Sequence, residues 1–407
     1  MSLVSLEPVP PGAQCDLKSL SPQEHPSSEA PPPKTTSRPW PNRGYPIACP
    51  QKMSLPLPRT SRRSFLRSGL STATGASLAS VASIGFPSIL AADSSVLGQG
   101  RFRYRVVPGW GDLGSSTPVN DCHGLVVDRE GHILLFTNET KNNVIVYDRK
   151  GRLVHKWGTQ FPGAHGLSLV TEAGREVLYL TDLQRHQVIK ATPDGKILQE
   201  WSLPKNTGKY PKPDEYRPSW TLNLPNGEFF VLDGYGRDYI LHYGADGEFK
   251  KVFGGAEGGI VHWGPHGGMI EAPRSGEPTL IIAMSDQQHL LRMSTDGRTL
   301  GTIPLPGGNP RQIRRVGDHY FVAHLGDNWP KDRNCRGFVS VLDSSLRVVS
   351  NVGGTAPEYG SDGQLRPMAH REELFQHPHD LAVDAEGSLY VAQFASGRTY
   401  PIKLERV

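Results

Sequence analysis

From about residue 100 the chain is a run of short β-branched and aromatic segments, broken at regular spacing by turns. This repeat constrains the fold more than any other feature. The turns are Asp128-Arg129-Glu130-Gly131, Asp148-Arg149-Lys150-Gly151, Pro193-Asp194-Gly195, Asn226-Gly227, Asp246-Gly247, Asp296-Gly297 and Asp384-Ala385-Glu386-Gly387. Asp-Gly and Asn-Gly supply the positive φ of tight hairpins, so these positions are structural. No segment sustains a helical period. Six units begin near His123, His165, Arg217, His266, Asn309 and His379. The first contains four strand-like runs, at 123–128, 133–136, 144–147 and 153–157, which make one blade. The last contains three, and the run at 102–107 supplies the missing outer strand. The expected fold is all-β: a single six-bladed β-propeller over residues 100–407, closed by an N-terminal strand that completes the last blade.

The remaining residues carry different signals. Residues 1–58 are rich in Pro and Ser, cannot bury a core, and read as a disordered extension. Residues 59–92 read as an export signal. Ser61-Arg62-Arg63-Ser64-Phe65-Leu66 has the form of a twin-arginine (Tat) motif, followed by an uncharged stretch from Ser68 to Ala92. Met53 offers a second start just ahead of it. That stretch is long enough to span a membrane, but its Ser, Thr and Gly content argues for cleavage near Ala92. The expected location is periplasmic or extracellular, with no stable span after cleavage. The net charge of +4 belongs to this leader: residues 1–92 hold nine Lys and Arg against four acids, leaving 35 basic and 36 acidic residues behind. Without a basic excess, nucleic-acid binding has no support. Cys122 and Cys335 are the only cysteines after the leader, so no disulfide framework exists, and two thiols are expected.

Three alternate units open on histidine: Ala164-His165-Gly166-Leu167, Pro265-His266-Gly267-Gly268 and Pro378-His379-Asp380-Leu381. They fall on blades two, four and six, at the corners of a triangle around the axis. Three neutral imidazoles with an open fourth position are the usual ligands of a catalytic zinc or similar divalent transition metal. Each histidine alone would read as a strand-start residue bonded to backbone; their phasing favours the metal. His123 opens blade one in the same way, but a fourth ligand would break the threefold pattern, so it reads as a lining residue. In a four-stranded blade the start of the innermost strand and the loop between strands two and three lie at one end. Asn138, Tyr235, Asp286, His324 and Trp329 therefore face the same mouth as the histidines, and His377 lies beside the third. These residues and His123 are the candidates for a substrate pocket, with Tyr235 the candidate base.

The blades resemble NHL repeats. The set His165-Gly166-Leu167-Ser168-Leu169, Asp233-Gly234-Tyr235-Gly236, Pro265-His266 and Pro378-His379-Asp380 resembles the peptidyl-α-hydroxyglycine α-amidating lyases, over about residues 100–407. That resemblance implies zinc ligands at His165, His266 and His379 and a catalytic tyrosine at Tyr235. It also implies a structural calcium in the channel, held by the Asp380 carboxylate and the backbone carbonyls of Leu125 and Leu167. Two departures stand out. The family's active-site arginines fall where this chain has Asn138 and Met284-Ser285-Asp286-Gln287, and His377 replaces a methionine. The first hundred residues are too few and too polar for a copper monooxygenase domain, so an α-hydroxyglycine substrate would come from a separate hydroxylating partner.

The expectation is an exported metal-dependent lyase-like enzyme that cleaves a C–N bond of a small-molecule or peptide carbinolamide. The alternative is a non-enzymatic propeller that serves as a protein- or ligand-binding platform, in which a metal would be structural and closed. A lactonase-like propeller would need more carboxylate and Asn side chains around the calcium than Asn138 and Asp380 provide.

Overall fold

The structure, a computed structural model, describes residues 96–407 apart from 261, 263, 274–275, 327–328 and 330. Residues 1–58 and 59–92, expected to be an extension and an export signal, lie outside the described residues. No helix among the described residues is long and apolar enough to cross a membrane.

Six antiparallel sheets follow one another along the chain. The innermost strands are Cys122–Val127, Ala164–Glu172, Trp220–Asn223, Pro265–Glu271, Gly308–Val316 and Pro378–Val383. Each lies beside the next around the ring. The molecule is a six-bladed β-propeller, and the units begin where the sequence repeats begin. The sixth sheet has five strands, because Leu97–Gln99 and Phe102–Val107 add to its outer side. There Tyr104 pairs with Arg406 and Val106 with Leu404.

Burial follows strand position. The second and third strands of blade one, Ile133–Thr137 and Val144–Tyr147, are buried at every residue, because neighbouring blades cover both faces. The outermost strand, Leu153–Trp157, is largely exposed. This explains why the inner segments read as continuous apolar runs rather than as alternation. The apolar side chains collect into six clusters, one in each interface between adjacent blades. Removal of apolar surface from water in these interfaces, rather than in a single centre, holds the ring together.

A second device repeats around the outside. The ring at the end of one blade's outer strand covers the outer turn of the next blade. Trp110 Nε1 donates to Arg149 O at 3.0 Å, Trp157 Nε1 to Pro193 O at 2.9 Å and Trp201 Nε1 to Gly247 O at 2.9 Å. Phe253 lies in the same way against Gly297. The turn glycines are needed twice over. Gly195 and Gly297 adopt φ of 98° and 100°, and a Cβ on either would come within 2.7 Å of the covering ring.

Trp201 is 8% exposed and joins blades two and three. Trp201→Ala is expected to cost about 3–5 kcal/mol. Trp201→Phe, which loses chiefly the indole hydrogen bond, should cost about 1 kcal/mol. Denaturant midpoints of the two variants against the parent check the pair.

Candidate metal centre

The histidines reach the axis because the ladder slips where they sit. Pairing between the first two strands of a blade shifts register between Cys122 and Gly124, Ala164 and Leu167, Pro265 and Gly267, Pro310 and Gln312, and Pro378 and Asp380. The extra residue at such a bulge leaves the pleat and is re-aimed. His123, His165, His266, Arg311 and His379 all fall in these slips.

His165, His266 and His379 are held alike. His165 Nδ1 donates to Ser219 O at 2.9 Å, His266 Nδ1 to Arg311 O at 2.9 Å, and His379 Nδ1 to His123 O at 2.8 Å. In each case the carbonyl belongs to the next blade. A carbonyl only accepts, so Nδ1 carries the proton and Nε2 keeps its lone pair. Such an outer hydrogen bond fixes the tautomer and ring orientation of metal-binding histidines. The three ring centroids stand 4.7–4.9 Å apart. His379 Nε2 and His165 Nε2 are 3.1 Å apart. Two bare lone pairs at that separation repel unless a cation lies between them, and tetrahedral Zn–N bonds of about 2.0–2.1 Å place ligand nitrogens at about 3.3 Å.

All three histidines are almost fully buried. Burial pushes their pKa values well below the usual range; for His266 the Arg311 charge is the next largest cause, and for His165 and His379 the neighbouring histidines come first. They are therefore neutral, the form that ligates. The donor set fits a divalent transition metal.

His123 differs. Its Nδ1 faces His379 Nε2 at 3.3 Å rather than a carbonyl, and its ring lies 4.5 Å from that of His379. Its ligand atom and those of His165 and His379 all lie within 4.8 Å of one another. Burial lowers its pKa to about 3. Among the described residues the compact group that could hold a metal therefore takes in His123 and leaves out His266, which differs from the trio expected from blade phasing.

Tyr235 completes the group. Its hydroxyl lies 3.1 Å from His266 Nε2 and 3.3 Å from His165 Nε2. The loop that carries it is fixed by Asp233, whose carboxylate accepts the Arg217 N–H at 2.6 Å, the Arg237 N–H at 2.7 Å and the Tyr210 hydroxyl at 2.8 Å. Gly234 lets this loop press on the strand bearing His266, since a Cβ there would lie 2.0 Å from Pro265 O. The Tyr235 pKa is raised, chiefly by burial; Asp286 adds to the rise and Arg311 opposes it.

Arg311 is the residue that sequence reasoning missed. It occupies on blade five the bulge position that histidine occupies on its neighbours. It is 3% exposed, and its Nε has no hydrogen-bond partner. Its charge acts on Tyr235 and Asp286. The signal was present, because Pro310-Arg311 parallels Pro265-His266 and Pro378-His379. Arg311 thus brings a buried cation to this end of the axis from blade five.

The other candidates divide. Trp329 and His377 are in ring contact at 4.7 Å, and Trp329 meets Phe394 at 5.3 Å. Phe394 in turn lies against His123 and His379, so these aromatic rings form a wall beside the histidines. His377 Nε2 donates to Arg333 O at 2.7 Å. Asp286 accepts from Asn309 Nδ2 at 3.4 Å. Asn138 is occupied in bracing its own loop, through Asn120 and the backbone N–H of Asp121. His324 is fully buried and stacked on Phe338 under Gly308, so it packs the core instead of lining a pocket. Cys122 and Cys335 are both buried and form no disulfide.

The calcium expectation needs correction. Asp380, Leu125 O and Leu167 O do converge, but on a side chain of this protein. Arg314 Nη2 donates to Asp380 Oδ2 at 2.6 Å and to both carbonyls at 3.1 Å, and its Nε donates to Asp380 Oδ1 at 3.1 Å. A second cation does not fit where the guanidinium stands.

No protein-family model matches the chain. It is similar to the peptidyl-alpha-hydroxyglycine alpha-amidating lyase 1 of Drosophila melanogaster, with 28% identity over 261 residues, 60% of this chain and 45% of that protein. The chain thus spans less than half the length of this relative. Among solved structures, a streptogramin B lyase matches with a TM-score of 0.47 and 14% identity, over 71% of this chain and 95% of that one. A gluconolactonase from Xanthomonas campestris matches with a TM-score of 0.47 and 10% identity, over 75% and 90%. The chain is a six-bladed propeller that resembles the peptidyl-α-hydroxyglycine α-amidating lyases and carries at its axis a buried group of three histidines, His123, His165 and His379, that could hold a metal.

Proposed function

We propose that this protein is an exported, metal-dependent lyase-like enzyme that cleaves the C–N bond of a carbinolamide, as in an α-hydroxyglycine-extended peptide. The observation that carries the reading is the set of three imidazoles, each anchored through Nδ1 to the next blade, with the Tyr235 hydroxyl beside two of their Nε2 atoms. The likeness to the Drosophila lyase supports it. The twin-arginine motif at Arg62-Arg63 supports export.

His165, His266 and His379 would hold zinc or a similar divalent transition metal. When bound, that ion supplies Lewis acidity, which lowers the pKa of a substrate hydroxyl. Tyr235, as phenolate, would take the hydroxyl proton; the electron pair left on that oxygen becomes the carbonyl π bond as the C–N bond breaks, and the proton passes to the departing amide nitrogen. An amide and an aldehyde leave. The charge of Arg311 opposes the burial that raises the Tyr235 pKa, and it offers a partner for a substrate carboxylate. The wall of Trp329, His377 and Phe394 limits water on one side. An α-hydroxyglycine substrate would be made by a separate hydroxylating protein.

Metal analysis of the purified protein should find about one transition metal per chain, lost in His266→Ala. Protein prepared with ample zinc yet free of metal would leave the binding-platform reading as the better account.

With an α-hydroxyglycine peptide as substrate and aldehyde release as the readout, Tyr235→Phe should keep its metal and lower kcat about 100-fold or more. Arg311→Met should raise KM roughly 10–100-fold. Unchanged kinetics in both variants would remove these residues from the reaction.

A further inference from the structure

We infer that the second cation position of this propeller's channel is filled by the chain's own Arg314 guanidinium, so that the fold has no need of calcium. The inference is independent of the reaction proposed above.

The cage is built by three blades and closed by a fourth. Blade six gives the Asp380 carboxylate, blade one the Leu125 carbonyl and blade two the Leu167 carbonyl; Arg314 crosses from blade five. Asp380 is wholly buried, and each of its oxygens takes two donors. Oδ1 accepts from Arg314 Nε and from the Leu381 N–H at 2.8 Å; Oδ2 accepts from Arg314 Nη2 and from the Leu125 N–H at 2.8 Å. A carboxylate and two carbonyls are the ligands that a hard cation would choose. Here they meet a planar group whose forked donors match a carboxylate at two points.

Arg314 also has a reason to stay. It crosses the Trp220 ring at 5.4 Å and contributes to the lining of a pocket of about 430 Å³ with Ser168, Thr221 and Gly268. Its side chain is 21% exposed and that of Asp380 not at all, so the charge is delivered from the solvent side into a buried socket. Removal of the guanidinium would leave an unpaired carboxylate and two carbonyls around an opening that this pocket reaches.

The test uses the full chain. Thermal melting is followed in millimolar calcium and in calcium-selective chelator, with zinc supplied in both, and calcium content is measured after dialysis. The parent should melt at the same temperature in both media and hold no calcium. Arg314→Ala should melt roughly 5–15 °C lower in chelator and regain part of that loss with calcium. Asp380→Asn should be destabilised in both media without a calcium response. Stoichiometric calcium in the parent, or a calcium-dependent melting temperature, overturns the inference; so does an alanine variant that folds but ignores calcium. The parent's measurements decide the matter even if that variant fails to fold.

Discussion

Each axial imidazole is fastened, through its protonated Nδ1, to a main-chain carbonyl of the next blade. The bulge at the head of the innermost strand turns the side chain inward, and the carbonyl then sets the ring's rotation and its tautomer. Both controls lie in the backbone, and a closed ring is what brings that carbonyl within reach. The site is therefore a property of the assembled propeller; a blade on its own would carry the histidine without its anchor. The same logic extends to Tyr235, whose loop can approach His266 because Gly234 has no side chain.

Charge is distributed along the axis in two layers. In the upper layer four buried histidines are held in the low-pKa, neutral form chiefly by burial, with Arg311 near them. One residue along from His379, Asp380 is paired with Arg314. The lower pair is balanced within the chain. The upper layer has a guanidinium whose Nε is unsatisfied and imidazoles with lone pairs turned inward, which is an environment arranged for something brought from outside.

Much of this was legible in the sequence. The blade starts and the threefold placing of His165, His266 and His379 follow from repeat spacing, because turns and strand lengths are fixed locally. The Asp380, Leu125 and Leu167 convergence was also legible from the resemblance. What was hidden were identities set by tertiary approach. Arg314 stands next to Arg315 in a strand that reads as a charged surface run, and nothing local reveals that one of the two crosses the channel. Arg311 is obscured because it occupies a bulge position that neighbouring blades fill with histidine. His324 reads in the sequence as part of a long blade-five loop, yet it lies in the strand His319–Gly326, and Gly308 leaves space that its ring fills in the core. Asn138 was placed at the right end of the blade, but its side chain is used by its own loop.

The sixth sheet joins the first described strands to the last, and the side chain of Arg406 donates to the carbonyl of Arg101 across 305 positions of sequence. Blades one to five can pair strands locally as they emerge during synthesis. The seam cannot form until residues 402–406 are available, so the last step of folding is also the most distant contact in the ring. Loop-closure entropy makes such contacts slow. Until then the strand at 102–107 exposes an unpaired edge, and the axis is a gap rather than a channel. The histidines would reach their common geometry only after the strand at 402–406 is in place, so the axial site comes into being with ring closure and not before it.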